Sequence, residues 1–124
     1  MSFMSELYRK SYSHEWTETK RDRIRTKISV GLMESGGTVL DVGCFSGSIA
    51  ERLASLGNEV CGLDISALAL RKASKKGISV IRHDIDFHFP LKSEIFDGVF
   101  AGEIIEHLFD VDEFLEEIRR VTKR

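Results

Sequence analysis

Apolar residues change their spacing several times along the chain, and each change marks the boundary of a predicted element. Between residues 17 and 35 they recur every four positions among arginines and lysines, which predicts an amphipathic helix. The glycine pair at residues 36–37 ends this helix. The β-rich run TVLDVG at residues 38–43 then predicts a strand that closes in a glycine-containing turn.

The rest of the chain alternates between helical and strand patterns. The predicted elements are a helix at 48–56, a strand at 59–64, a helix at 66–76 capped by Ser66, a strand at 78–82, a strand at 95–101 and a helix at 112–123. Leu56 and Leu115 are among the apolar residues that we expect to face the core. This alternation predicts an α/β domain with a parallel sheet and helices on both faces. We expect residues 1–35 to form an N-terminal segment and helix, and residues 36–124 to form the core.

Composition and charge narrow the class of protein. Eighteen basic residues against 20 acidic ones give a net charge of −2, which argues against coating nucleic acid or an anionic membrane. No apolar run reaches the roughly 18 residues that a spanning helix needs, and the charged N-terminus does not fit a signal peptide. Two cysteines are too few for a disulfide scaffold. The sequence therefore predicts a cytoplasmic domain with no membrane partner.

The strongest chemical signal is the turn within residues 38–50, TVLDVGCFSGSIA. Asp41 ends the first strand, and Gly43 and Gly47 lie in the turn that leads into a helix. Missing side chains let a ligand approach the backbone, and a helix N-terminus offers unpaired N–H groups. The same glycines also fit a tight turn that binds nothing.

Two further acids favour the ligand site. Asp64 ends the second strand, 21 residues after Gly43, where a carboxylate can accept hydrogen bonds from ribose hydroxyls. Asp84 and Ile85 follow the third strand, where a carboxylate and an apolar side chain can hold an adenine. Because open α/β sheets bind ligands at the carboxyl ends of their strands, we predict a nucleoside-type site at this edge.

The glycine spacing distinguishes between ligand classes. A dinucleotide fingerprint, G-x-G-x-x-G counted from Gly43, would need glycines where Phe45 and Ser48 stand. This mismatch disfavours a nucleotide-binding oxidoreductase.

The same residues resemble the class I S-adenosylmethionine-dependent methyltransferases, whose first motif is (D/E)-x-G-x-G-x-G. The match is Asp41, Gly43 and Gly47, with Phe45 in place of the middle glycine. The resemblance covers residues 36–124 and extends through the segments GLDIS, HDID and FDGVFAGEIIEHLFDVDEFLEEIRRVTK. It implies a Rossmann-like fold with sheet order 3-2-1-4 in this chain, and S-adenosylmethionine as the cofactor.

The resemblance also implies roles for the residues of the first turn. The backbone of Asp41, Gly43, Cys44, Phe45 and Gly47 would hold the methionine part of the cofactor. The Asp41 carboxylate would reach the cofactor's ammonium, directly or through water. The Phe45 side chain would either lean over the cofactor or narrow its pocket, and it could also mark a degenerate site.

The other carried-over roles concern the adenosine part and the fourth strand. Asp64 would take the ribose hydroxyls, and Ile65 would pack on the adenine. Asp84 would accept from the adenine amino group, and Ile85 would cover the ring. The carbonyl of Ala101 would meet the ligand's ammonium.

The segment EIIEH follows the fourth strand and carries Glu103, Glu106 and His107. In a helix these positions share one face and could ligate a divalent metal. The spacing resembles the metal motif of ubiquinone-biosynthesis O-methyltransferases and small-RNA 2′-O-methyltransferases; the alternative is that these residues wall the substrate side of the pocket. We predict no metal here, because two carboxylates and one imidazole leave the site short of ligands. His107 is the candidate general base for a hydroxyl acceptor.

Complete members of the family continue with a fifth strand and an antiparallel pair, in the order 3-2-1-4-5-7-6. We therefore expect this chain to be a fragment, or to have the strand at residues 95–101 as an exposed edge that supports self-association. Two functions stay open: the cofactor-binding portion of a methyltransferase with an unidentified acceptor, or a non-catalytic binding module that keeps the fold.

Overall fold

The computed structural model describes Ile24 and residues 36–102 and 104–124. Apart from Ile24, the predicted helix at 17–35 lies outside the described residues, as does Glu103. The elements are β1 (Thr38–Val42), α1 (Ser48–Ser55), β2 (Glu59–Asp64), α2 (Ala67–Lys75), β3 (Ser79–Arg82), β4 (Gly98–Phe100), a 3-10 turn (Ile105–His107) and α3 (Val111–Val121). None of the helices within these ranges is long and apolar enough to cross a membrane.

The four strands form one parallel sheet in the order β3-β2-β1-β4, which confirms the predicted architecture. β1 is central and pairs with β2 from Thr38 opposite Glu59 to Val42 opposite Leu63. On its other side, Val39 lies opposite Gly98 of β4. Since all strands run the same way, their carboxyl ends meet at one edge of the sheet.

The core lies on both faces of the sheet, as the pleat of β1 requires. Leu40 and Val42 pack on one face with Phe89, Phe96 and Phe114. Val39 belongs to the opposite face, in a cluster formed with residues of α1 and α2. Successive residues of a strand point to opposite faces, so a nearly continuous apolar strand suits a sheet that is covered on both sides.

Side-chain caps begin two of the helices α1 to α3. The Ser66 hydroxyl accepts from the Ala69 N–H at 3.2 Å, which confirms the predicted cap of α2. Asp110 caps α3 through the Glu113 N–H at 3.0 Å, so this helix begins one residue earlier than predicted. Gly47 precedes α1 without a side-chain cap.

Two apolar residues that we expected in the core are exposed. Leu56 is 42% exposed because it follows the end of α1, where the chain already turns at Gly57. Leu115 is 48% exposed because the buried residues of α3 are Phe114, Glu117 and Val121, and Leu115 lies beside them. The expectation was wrong for both side chains.

The predicted strand at 95–101 is shortened to the three residues of β4. The preceding residues pair instead with the end of α3: the Ile95 and Phe96 N–H groups donate to the Val121 carbonyl at 2.9 and 3.0 Å. The Lys123 N–H donates back to the Phe96 carbonyl at 2.8 Å, and Phe96 forms a parallel bridge with Thr122. The expectation of an open edge along residues 95–101 was therefore wrong for Ile95 and Phe96.

Candidate functional site

Three acidic residues lie at or just after the carboxyl ends of neighbouring strands. Asp41 is the fourth residue of β1, Asp64 ends β2, and Asp84 follows β3 after one intervening residue. Asp84 is half-buried, and its Oδ1 accepts from the Asp86 N–H at 3.1 Å. The parallel sheet thus brings the three predicted acids to one edge.

The turn after β1 is tied to the end of β2 by three successive N–H groups. Those of Gly43 and Cys44 donate to the Leu63 carbonyl at 2.7 and 3.0 Å. The Phe45 N–H donates to Asp64 Oδ2 at 2.9 Å. These three groups are therefore used within the chain, and the turn holds the Asp64 carboxylate in place.

Phe45 occupies the left-handed region with φ 51°. This region favours glycine, which is the residue that the (D/E)-x-G-x-G-x-G motif has at this position. A side chain there costs on the order of 1–2 kcal/mol. The Phe45 side chain is partly buried, so the turn keeps a glycine-like backbone while carrying a phenyl ring.

Close packing beside the turn explains why residues 43 and 62 are glycines and how the Cys44 side chain fits there. A Cβ at Gly62 would lie 2.6 Å from Cys44 Sγ, so the Cys44 side chain fits only because β2 has a glycine there. Burial, and next the charge of Asp41, raises the pKa of the Cys44 thiol. A Cβ at Gly43 would lie 2.5 Å from Cδ1 of Ile104, a buried residue that the sequence analysis did not single out.

Gly47 allows α1 to approach α2 closely. Its φ is 84°, and a Cβ there would lie 3.0 Å from Ala73 Cβ and 3.2 Å from Ala73 Cα. We expect Gly47→Ala to lower the free energy of unfolding by about 2–3 kcal/mol, from backbone strain and overpacking together. Gly57 is the matched control, since its φ is 88° but a Cβ there meets open space. Gly57→Ala should cost about 1 kcal/mol in the same urea titration, and equal costs would contradict the close approach.

The carboxylates of Asp41 and Asp64 are both buried, at 2% exposure each, but they differ in their partners. Asp64 accepts from the N–H groups of Phe45 and Ser66, each at 2.9 Å. Asp41 Oδ2 has no hydrogen-bond partner among the described residues. Burial, and then the charge of Asp64, raises the pKa of Asp41 to about 8. Burial also raises the pKa of Asp64, against the opposing effect of its N–H donors. A buried acidic pair of this kind suits a cationic ligand group.

The residues predicted for the adenine side are in different environments. Ile65 is partly buried, and its carbonyl accepts from Arg82 Nε at 2.9 Å, a contact that the sequence analysis missed. Ile85 is buried in the core cluster that contains Phe89, so little of its side chain is accessible. Phe87 nearby is 59% exposed.

The segment after β4 does not form the helix on which the metal-site alternative depends. Ala101 is partly buried, and the described residues of the EIIEH segment, 104–107, contain a 3-10 turn at Ile105–His107 and no α-helix. Glu106 and His107 are exposed, with Glu106 Oε1 3.8 Å from His107 Nε2. Across the described ranges, no group of three or more His, Cys, Asp or Glu side chains could hold a metal ion. The described residues of this segment therefore do not form the helical face on which a metal site would depend, and the role of His107 as a base stays a prediction.

A family model described as "Methyltransferase domain" matches residues 40–124. A ubiquinone biosynthesis O-methyltransferase from Chelativorans sp. (strain BNC1) is 33% identical over 93 residues, covering 71% of this chain and 37% of the relative. A demethylmenaquinone methyltransferase from Thermobifida fusca is 32% identical over 112 residues, covering 83% of this chain and 47% of the relative. The chain thus spans less than half the length of these curated relatives.

Solved structures share the fold. A protein from Pyrococcus horikoshii OT3 superposes with a TM-score of 0.73 at 30% identity, covering 95% of this chain and 61% of that one. An S-adenosylmethionine-dependent methyltransferase from Mesorhizobium loti gives a TM-score of 0.71 at 24% identity, covering 78% of this chain and 47% of that one.

Proposed function

Because this chain belongs to the class I S-adenosylmethionine-dependent methyltransferase family, we propose that it is the cofactor-binding portion of an enzyme that methylates an acceptor. The observation that carries the proposal is the pair of buried carboxylates, Asp41 and Asp64, at the ends of two neighbouring parallel strands. A non-catalytic binding module with the same fold is the alternative, and Phe45 at a glycine position is the feature that favours it.

The donor set of the site fits S-adenosylmethionine better than a nucleotide phosphate. The cofactor carries an ammonium and a sulfonium cation and no phosphate group. When ionised, the buried Asp41 Oδ2, which has no hydrogen-bond partner among the described residues, attracts a cation and repels a phosphate. We therefore assign the turn from Asp41 to Gly47, including Cys44, to the methionine part of the cofactor, with the Ala101 carbonyl as a further acceptor for its ammonium.

The adenosine part would extend along the carboxyl ends of β2 and β3. Each Asp64 oxygen accepts one backbone N–H, and a carboxylate oxygen has two lone pairs, so both oxygens keep capacity for ribose hydroxyls. Ile65 and Asp84 are partly buried and would contact the adenine. Because Ile85 is buried in the core, its contribution would be to support that contact from below.

Methyl transfer needs alignment more than acid–base chemistry. When bound, the cofactor supplies an electrophilic methyl group on its sulfonium. The chain contributes a fixed binding site, since an N–H bond from the turn holds the Asp64 carboxylate in place. Holding the methyl group close to the acceptor in the correct orientation lowers the activation barrier of methyl transfer. His107 is exposed, and we propose that it accepts the proton of a hydroxyl acceptor.

A cytoplasmic location and self-association through β4 stay predictions from the sequence. Because the N–H groups of residues 95 and 96 already donate to the Val121 carbonyl, the predicted self-association would use the outer edge of Gly98–Phe100.

Titration calorimetry with S-adenosylhomocysteine, the demethylated cofactor, tests the proposal. We expect Asp64→Asn to weaken binding by about 1.5–3 kcal/mol, because hydrogen bonds to a charged acceptor are lost. Asp97→Asn is the matched control, since Asp97 is an exposed acid before β4 whose Oδ2 accepts from Thr38 at the opposite end of the sheet. Its affinity should equal that of the parent chain.

Unchanged affinity in Asp64→Asn would place the ribose elsewhere. A folded parent chain that binds neither S-adenosylhomocysteine nor S-adenosylmethionine would support the non-catalytic module instead. Circular dichroism of each variant checks that the fold is retained.

A further inference from the structure

The two buried carboxylates of the site have unequal hydrogen bonding. Asp64 accepts two backbone N–H groups at 2.9 Å, from the turn after β1 and from the N-terminus of α2. Asp41 is buried to the same extent, but its Oδ2 has no partner within the described part of the chain. The difference lies in the backbone around the site, because the Phe45 N–H points at Asp64 and not at Asp41.

Two neighbouring carboxylates in a buried site do not ionise equally. A carboxylate that accepts N–H bonds is stabilised as an anion, whereas a buried carboxyl group without donors beside an existing anion is stabilised in its protonated form. Asp64 is therefore the anion of the pair, and Asp41 is the group that keeps a proton. Burial and the Asp64 charge, which raise the pKa of Asp41 to about 8, agree with this division.

We propose that Asp41 is protonated in the unliganded chain and exchanges its proton for the ammonium group of the ligand, so that cofactor binding releases one proton to solvent. The inference rests on the proposed function, since it takes the cofactor's ammonium as the cation. Ion pairing with the ammonium supplies the partner that Asp41 Oδ2 lacks among the described residues. Asp41 thereby becomes a specificity-determining residue for ligands that carry a primary ammonium.

Asp41 is the strongest source of that proton among its titratable neighbours. From β2, Asp64 and Cys61 face this region, and from the turn Cys44 does. Burial raises the pKa of both thiols, so they stay neutral with or without ligand. On the β4 side, Phe100 and Ala101 do not titrate; the acid beyond them, Glu103, lies outside the described residues.

The proposal distinguishes between ligands that share the adenosine part. S-adenosylhomocysteine carries the ammonium, so its affinity should rise about tenfold per pH unit from about pH 5.5 to about pH 7. 5′-Methylthioadenosine lacks the ammonium. Its affinity should stay constant over the same range, and its binding should release no proton.

Calorimetry of the whole chain in buffers of different ionisation enthalpy measures the protons released. With S-adenosylhomocysteine near pH 6.5 we expect a value close to one for the parent chain and for Asp97→Asn, the control acid at the other end of the sheet. Asp41→Asn keeps the shape of the side chain without its proton. It should bind S-adenosylhomocysteine with a release near zero and an affinity independent of pH.

Three results would overturn the inference. S-adenosylhomocysteine binding without proton release would do so while leaving the proposed function intact. A release of one proton that persists in Asp41→Asn would assign the proton to another group. Absence of S-adenosylhomocysteine binding at every pH would remove the proposed function and this inference together.

Discussion

The Asp41→Asn chain should gain stability over the parent chain by about 1.4 kcal/mol for each pH unit between about pH 4.5 and about pH 7.5. The pKa of Asp41 is raised from 3.8 to about 8 on folding. The folded chain therefore keeps a proton that the unfolded chain has already lost in this range. The stabilising effect of that proton is complete below pH 3.8 and is lost as the pH rises through about 8. Asparagine does not titrate, so the free energy of unfolding of the variant does not fall in this way as the pH rises.

Urea unfolding of both chains at several pH values measures this effect. The difference between the two chains should grow by about 4 kcal/mol between about pH 4.5 and about pH 7.5. Asp97→Asn is the control, because hydrogen bonds from Thr38 lower the pKa of Asp97 and give its titration the opposite sign. Parallel curves for Asp41→Asn and the parent would mean that Asp41 is ionised in the folded chain, which would also count against the proton exchange.

Replacing Glu117 with alanine should lower the free energy of unfolding by about 3 kcal/mol at neutral pH. Glu117 is buried on α3, where its Oε1 accepts from the Phe89 N–H at 2.6 Å and its Oε2 from Arg120 Nε at 2.7 Å. Arg120 in turn donates to the Leu91 carbonyl at 2.8 Å and to the Phe89 carbonyl at 3.1 Å. Alanine would remove the acceptor of the buried Phe89 N–H and the carboxylate partner of the Arg120 guanidinium, which would weaken the attachment of the segment after β3 to α3.

Glu116→Ala is the matched control for this experiment, since Glu116 is the preceding residue of the same helix and is exposed. Its cost should stay within about 0.5 kcal/mol. Hydrogen bonds from Arg120 hold the pKa of Glu117 below its ordinary 4.5, so its stabilising effect is present above that pH and is lost as the pH falls further. Equal losses in the two variants at neutral pH would show that the Glu117–Arg120 pair does not stabilise the fold.

Residues that are close in the sequence were predicted well, because their signals are local. Ser66 was recognised as a helix cap because its hydroxyl bonds an N–H only three residues later. The turn with Asp41, Gly43 and Gly47 was recognised because a strand, an acid and two glycines follow one another without interruption. The EIIEH spacing could indicate a metal site only in a helix, and its described residues form a single 3-10 turn instead.

The periodicity of apolar residues by itself determined the elements, the parallel sheet and the edge at which the acids lie, since these depend on backbone geometry repeated over a few residues. Only the tertiary structure decided how each acid is partnered. Asp64 accepts one of its N–H bonds from Phe45, 19 residues earlier, while Asp41 accepts none within the described chain. Glu117 is buried and accepts a hydrogen bond from Phe89, 28 residues away. The apolar pattern of the helix had instead predicted a buried Leu115, which is exposed. The burial and charge of a polar side chain depend on groups that folding brings from distant positions in the sequence. The local pattern of apolar residues does not identify those groups.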